Sequence, residues 1–294
     1  MAKETWRPGE NPEGSRGSAG PKLLLIDGHS LFHRAFYALP TLVSVDGQPT
    51  NAVYGFLTML FRLLDSEQPT HLAVALDASA VTFRHELFAD YKAHRDRMPD
   101  ELASQVPLLR EVLAALRVKT YEREGFEADD LIGTLARRAE AAGCRVLIVT
   151  GDRDVLQLVT PRTEVLLTRR GVTGLERYTL ERIRAEYGLE PQQLIDVKGL
   201  AGDSSDNIPG VRGIGEKTAR QLIREFGSLE GVLANLEQVS RPSLRQRLAA
   251  AAEVARLSKR LATINRDMDL DFQLAELRRQ EPDREAVSRL FTRL

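Results

Sequence analysis

Three short apolar runs, each closed by aspartate, punctuate the first half of the chain. Leu23–Ile26 ends in Asp27, the run 71–76 ends in Asp77, and Val146–Val149 leads into Thr150-Gly151-Asp152-Arg153-Asp154. Unbroken runs of this length fit strands buried on both faces. Strands are therefore predicted at 22–27, 71–77 and 145–150, with weaker ones at 118–122 and 164–168 and a turn and short extension over 171–178. Between them, apolar residues recur at helical spacing over 52–64 (Val53, Phe56, Leu57, Leu60, Leu63, Leu64), 102–116 and 131–142. From Thr179 onward the pattern is helical throughout, at 179–187, 192–200, 216–226, 228–235, 242–261 and 283–294. Strands alternating with helices predict an α/β fold with a mostly parallel central sheet flanked by helices. The expected division is a tail at 1–20, an α/β core at 21–178, and a helical C-terminal region at 179–294.

Composition narrows the class. Residues 1–20 are Gly, Pro, Ser and charge with little apolar content, the signature of a disordered tail. Elsewhere an apolar fraction of 43% supports a core, and no run approaches the ~18 residues that span a bilayer. No signal-like segment opens the chain. The single cysteine, Cys144, excludes an intramolecular disulfide and fits a reducing cytoplasm, as a small buried residue entering a strand. A net charge of −1 argues against a uniformly basic nucleic-acid binder. It is compatible with a basic face around an acidic hole.

Such a hole is foreshadowed. Asp27, Asp77, Asp152 and Asp154 follow strands, and in an open parallel sheet ligands bind outside the carboxyl ends of the strands. Glu127, Asp129 and Asp130 open the helix that precedes the third strand, and Asp203 and Asp206 sit at another junction. Taken singly, each aspartate reads better as a loop or helix-cap residue than as a ligand. On a helix Glu127 and Asp130 share a face and Asp129 points elsewhere. Gathered, two carboxylates ~6 Å apart repel by roughly 3 kcal/mol at an effective dielectric near 20. Hard divalent cations relieve that repulsion, and all-oxygen ligation selects Mg²⁺, with Mn²⁺ as the alternative. This many ligands points to two ions, which suit in-line displacement at phosphorus. No Cys/His cluster competes for zinc, and the EF-hand spacing is absent.

Two further stretches carry chemistry. Residues 79–99 interleave Arg84, His85, Lys92, His94, Arg95 and Arg97 with Phe83, Phe88 and Tyr91, a mixture suited to single-stranded nucleic acid and also to a plain solvated loop. Gly210-Val211-Arg212-Gly213-Ile214-Gly215-Glu216-Lys217-Thr218 imitates a P-loop. However, Glu216 interrupts the Gly-Lys-Thr contiguity and helix rather than strand precedes it, so triphosphate binding is rejected. A tight hairpin between helices is the better reading: glycines permit close approach to a phosphate, and the helix from Glu216 offers backbone N–H groups. Lys217, Arg220 and Arg224 add charge. A turn that merely joins two helices has the same spelling.

These residues, in this order, resemble the bacterial 5′ nuclease family, the flap endonuclease/5′→3′ exonuclease domain of DNA polymerase I. The matches are Ile26-Asp27-Gly28-His29, Leu76-Asp77-Ala78, Phe83-Arg84-His85-Glu86, Tyr91-Lys92, Glu127-Ala128-Asp129-Asp130, Thr150–Asp154, Gly202–Asn207 and the hairpin 210–219. The resemblance covers residue 22 to the C-terminus. It implies a PIN-like 5′ nuclease core, a helical arch at 79–99 and a helix–hairpin–helix DNA-binding motif at 192–226. It assigns Asp27, Asp77, Glu127, Asp129 and Asp130 to a first metal, and Asp152, Asp154, Asp203 and Asp206 to a second. Arg84, Lys92 and Arg95 match arch positions that hold the scissile phosphate, Arg34 and Lys198 match basic positions near the active site, and Tyr37 lies where an aromatic stacks on a terminal base. The hairpin Gly210, Arg212, Gly213, Gly215 resembles one that holds duplex phosphates around a monovalent cation such as K⁺.

The expected activity is Mg²⁺-dependent cleavage of DNA at 5′ flaps and 5′ ends, in replication and repair, including removal of RNA primers. Expected partners are duplex/single-strand junctions and a polymerase in cis or in trans, with no membrane and a monomeric state. The alternatives are a non-catalytic DNA-junction binding module, disfavoured because binding a polyanion gains nothing from concentrated negative charge, and a PIN-like ribonuclease, disfavoured by the hairpin.

Overall fold

A computed structural model describes residues 20–169 and 174–293. The expected tail, except Gly20, and residues 171–173 of the expected turn lie outside the described residues. Among the described residues six strands form one sheet: β1 (Lys22–Asp27), β2 (His71–Ala75), β3 (Lys119–Tyr121), β4 (Arg145–Thr150), β5 (Thr163–Thr168) and β6 (Leu175–Tyr178). Their order is β3-β2-β1-β4-β5-β6, parallel except for the antiparallel β5–β6 pair. The chain leaves β1 toward β2 and β3, then returns to the other side of β1 at β4. The switch point between β1 and β4 is where such sheets bind ligands.

Period-two alternation divides the core. Leu23 and Leu25, with Val146 and Ile148, face helix α6 (Ala128–Ala141) and the C-terminal helices. Leu24 and Ile26, with Leu147 and Val149, face α1 (Gly28–Ala38), α2 (Asn51–Glu67) and α5 (Val106–Ala115). Burial on both faces explains the unbroken apolar runs, each leucine contributing about 1.5–3 kcal/mol. Cys144 is fully buried at the entry to β4.

Helix α1 is absent from the sequence expectations, which end the first strand at Asp27 and predict no element before 52. Instead the strand passes directly into helix: the Asp27 carboxylate caps α1, accepting from Ser30 N at 3.0 Å. Gly28 is required by packing, since a Cβ there would meet Leu76 at 2.4 Å. The expected helix at 102–116 is broken into α4 (Asp100–Ala103) and α5. Pro107 in the first turn of α5 lacks a donor, and the intervening Gln105 side chain accepts from Ala52 N at 2.9 Å. Between Ala80 and Pro99 a short helix, α3 (Phe83–Leu87), is followed by turns.

The C-terminal region comprises α7 (Leu180–Tyr187), α8 (Gln193–Ala201), α9 (Glu216–Phe226), α10 (Leu229–Ala234), α11 (Pro242–Ala250), α12 (Ala252–Ala262) and α13 (Arg284–Arg293). The expected single helix at 242–261 is two, parted at Ala251. Helices α8, α9 and α10 share the α6-side core with the sheet, whereas α13 packs on α5. Among the described residues no helix is long and apolar enough to cross a membrane.

Candidate active site

Parallel register puts the strand ends level. Asp27 pairs with Ala75 across β1–β2, and Ile26 pairs with Val149 across β1–β4. Asp77 and Asp152 therefore lie just beyond the sheet edge that Asp27 ends. A cleft of about 1710 Å³ opens there, and seven of the nine expected acids line it: Asp27, Asp77, Glu127, Asp129, Asp152, Asp154 and Asp203. Arg34, Tyr37, Lys92, Arg95, Lys198 and Arg220 line the same cleft.

Hydrogen bonds hold several carboxylates. Asp27 Oδ2 accepts from Thr150 Oγ1 at 2.6 Å, and Asp77 Oδ1 accepts from Ala128 N at 2.7 Å, tying the end of β2 to the start of α6. The Asp77 N–H donates to His29 Nδ1 at 2.9 Å. Burial lowers the His29 pKa, keeping a neutral ring that accepts this bond. Asp152 Oδ1 accepts from Asp154 N at 2.8 Å.

Electrostatics matches a cation site. Burial outweighs the bonds from Thr150 and Ser30 and, with Asp77 and Asp152 adding to it, pushes Asp27 up to about 7. Burial and the neighbouring Asp152, Asp27 and Glu127 hold Asp129 well above the usual carboxylate range. Asp154 likewise rises to about 7, through burial and Asp152. Asp203 goes the other way: burial opposes ionisation, but bonds from Lys198 and Ser205 bring it to about 2. Basic side chains are interleaved with these acids. Lys198 bridges Asp154 and Asp203, and Lys92 Nζ lies 2.8 Å from Glu127 and 3.7 Å from Asp206. Among the described residues no three His, Cys, Asp or Glu side chains stand in position to hold a metal ion as placed. The donor set nevertheless fits one: it is all oxygen, desolvated, and mutually repulsive. Ligation requires some carboxylates to turn from their ammonium partners.

Two of the nine acids do not line the cleft. Asp206 is buried beneath it, accepting from the Tyr91 hydroxyl at 3.1 Å and from Arg95. Asp130 requires a correction, together with Arg84. Both are buried, Asp130 at 0% and Arg84 at 2% exposure, and they form a bidentate pair at 2.8 and 2.9 Å. Arg84 also donates to the carbonyls of Leu261 and Thr263, and Asp130 accepts from Asn265 N and Glu127 N. Both Asp130 oxygens are thus occupied, and Arg84 Nη1 also lies 3.6 Å from Glu127 Oε2, so the guanidinium is held among protein groups. They form a latch joining α3, the start of α6 and the segment after α12.

Of the other basic candidates, Lys92 and Arg95 reach the cleft from the turns after α3. Lys92 is kept protonated by Glu127 and Asp206 despite burial. Arg34 donates to the Arg169 carbonyl, and Tyr37 is 71% exposed.

The hairpin joins α8 to α9. Asp203 and Ile208 exchange backbone hydrogen bonds at 2.9 and 2.8 Å, and Gly210 follows with φ +59°. Gly210 also departs from expectation: it is buried, a Cβ would lie 2.2 Å from Gly202 N, and its N–H donates to Ser258 Oγ at 2.9 Å. Its smallness serves packing, not phosphate approach. Arg212, Gly213, Gly215 and Lys217 are exposed and Thr218 is half-buried. Arg220 turns back to Glu216 and lies over the Tyr187 ring, 4.4 Å from its centroid. Thr150, Ser30 and Tyr91 are site residues missing from the sequence assignments. Ser30 Oγ accepts from Gly151 N at 2.7 Å. The Asp27–Ser30 and Thr150–Asp152 bonds are local, but only the β1–β4 register brings Thr150 to Asp27 and Ser30 to Gly151.

The model of a family described as 5′-3′ exonuclease, N-terminal resolvase-like domain, matches residues 22–188. A second, 5′-3′ exonuclease, C-terminal SAM fold, matches residues 189–285. The chain belongs to the 5′-3′ exonuclease family. The two matches divide it into a resolvase-like α/β domain and a SAM-like helical one. It is 52% identical over 273 residues to DNA polymerase I of Bacillus caldotenax, covering 93% of this chain and 31% of the relative. Against DNA polymerase I of Bacillus subtilis the identity is 48% over 270 residues, covering 92% and 31%. The chain thus spans about a third of the length of these curated relatives. Among solved structures, T5 5′-exonuclease with bound divalent metal ions (zinc) superposes at TM-score 0.69 and 24% identity, covering 83% of this chain and 90% of the other. The catalytic core of Rad2 in complex with DNA substrate gives 0.62 and 17%, covering 93% and 88%.

Proposed function

We propose that the cleft holds two divalent cations, Mg²⁺ in the first instance and Mn²⁺ as a substitute, and hydrolyses phosphodiesters of DNA at 5′ flaps and 5′ ends. The observation that carries this reading is the convergence of seven carboxylates on one cleft at the sheet's switch point. Family membership supports it, as do the divalent ions named for T5 5′-exonuclease and the DNA substrate named for Rad2. In this reading Asp27, Asp77, Glu127 and Asp129 serve one ion, and Asp152, Asp154, Asp203 and Asp206 the other. When bound, such an ion pair offsets the charge that develops on attacking and leaving oxygens at phosphorus.

The chain's own residues do the rest. Lys92 and Arg95 leave their carboxylate partners for the scissile phosphate, and Arg34 and Lys198 flank it. Tyr37 offers an exposed face to a terminal base. Arg212 and Lys217, at the hairpin and the start of α9, hold duplex phosphates, with a monovalent cation such as K⁺ at the hairpin. The nuclease core is 21–178 and the DNA-holding region 179–294. A polymerase in cis or in trans, a monomeric state and a cytoplasmic location complete the reading. Contacts of this kind are to backbone and shape, so sequence preference is weak.

A 5′-labelled flap duplex tests this proposal. With Mg²⁺ the label is released in a short product, and EDTA abolishes release. Tight binding without cleavage favours the junction-binding module, and cleavage confined to RNA flaps favours the ribonuclease.

A further inference from the structure

Thr150 is fully buried at the end of β4, level with Asp27 at the end of β1. Neighbouring residues on parallel strands share a face, and both belong to the α6 side, where Leu25 and Ile148 also point. The Thr150 hydroxyl donates to Asp27 Oδ2 at 2.6 Å and accepts from Asp152 N at 3.0 Å. A hydroxyl has one proton. With the Asp152 N–H directed at its lone pair, that proton is committed to Asp27. The chain of bonds continues, because Asp152 Oδ1 accepts from Asp154 N. Asp27 is fixed from the opposite side by Ser30 N, and Ser30 Oγ holds Gly151 N. One threonine thus ties the Asp27 carboxylate of the first proposed metal group to the backbone that carries Asp152 and Asp154 of the second.

We infer that Thr150 is a positioning residue that fixes the spacing between the two carboxylate groups, and so the affinity of the cleft for a pair of divalent cations. This rests on the two-cation reading above. Two ions that act on one phosphate stand roughly 3.5–4 Å apart, and functional groups must be held within about 0.5 Å of productive geometry. A strand-end threonine needed only for β-branched packing would serve as well as valine. Valine keeps the shape and removes both hydrogen bonds.

The test uses the whole chain and reads metal binding apart from catalysis. The rise in Tm with added Mn²⁺ or Mg²⁺ is titrated for wild type, T150V, T150S and T150C, alongside cleavage of the flap duplex. Outer-shell substitutions typically cost roughly 10–100-fold in metal affinity or activity. T150V should raise the metal midpoint by about that factor and lower kcat, with KM for the flap duplex unchanged, while T150S stays near wild type. T150C, whose thiol is a weak donor, should lie between them and carries the test if T150V does not fold. A wild-type midpoint in T150V or T150C overturns the inference, as does a T150S midpoint as poor as that of T150V. If wild type itself gives neither a metal-dependent Tm nor cleavage, the two-cation reading fails, and that outcome is distinct.

Discussion

Separating Arg84 from Asp130 should unfold the protein more readily, whether or not metal is present. Both side chains are almost completely buried, and each makes two further bonds to backbone besides the bidentate pair. Removing one partner of a buried pair leaves an uncompensated charge and typically costs about 3–5 kcal/mol. At about 2–4 °C per kcal/mol, the value for chains of 150–250 residues, R84A or D130A should lower Tm by roughly 6–20 °C. The double variant leaves no buried charge, although backbone groups at Leu261, Thr263 and Asn265 still lose partners. It should therefore cost less than the sum of the single changes, by an interaction energy of roughly 2–3 kcal/mol, toward the upper end for residues in contact. Urea unfolding in EDTA, followed by circular dichroism, measures all three. Additivity within about 0.5 kcal/mol refutes the latch. So does a D130A variant that matches wild-type stability in EDTA but loses metal binding, which returns Asp130 to the ligand set.

Other expectations follow from the same geometry. Asp27 and Asp154 titrate near 7 in the fold against an ordinary 3.8; they bind protons more tightly folded than unfolded, so metal-free stability is greatest below about pH 4 from this source and declines as pH rises through about 7. Calorimetry should accordingly show Mg²⁺ raising Tm more at pH 8 than at pH 5, and a pH-independent shift contradicts the assignment. G210A meets Gly202 backbone at 2.2 Å with φ +59° and should lose at least about 2 kcal/mol, the conformational penalty plus the clash. By contrast G215A, with open space, should stay within about 0.5 kcal/mol of wild type; equal losses in urea unfolding would show that the hairpin is not packed as described. Replacing Arg212 or Lys217 by glutamine should weaken duplex binding uniformly across sequences and reduce the salt slope by about 1, which fluorescence anisotropy at several salt concentrations reads directly.

The sheet was legible because its strands are buried on both faces. The runs ending at Asp27 and Thr150 have the observed bounds, and the helix at 216–226 likewise. What failed were places where side-chain packing decides. Asp27 does end β1, but by capping Ser30 N it also starts α1, which the strand pattern does not announce. Gln105 and Pro107 divided a helix whose apolar spacing looked continuous. Among the acids, sequence order and strand ends brought seven to one cleft, but composition cannot tell a carboxylate facing water from one facing a buried guanidinium. Asp130 and Arg84 are 46 residues apart, and no local pattern marks them as partners. Thr150 opens a matched motif, but its bond to Asp27 depends on the β1–β4 register, which a strand's own sequence does not specify.

The most direct test of the central claim is single-turnover cleavage of a 5′-flap duplex by wild type, D129A and D152A at saturating Mg²⁺. Loss of an outer-shell partner costs roughly 10–100-fold, so loss of a carboxylate that holds an ion should slow cleavage by more than that in both variants, with duplex binding retained. Cleavage by either variant at the wild-type rate would contradict the account.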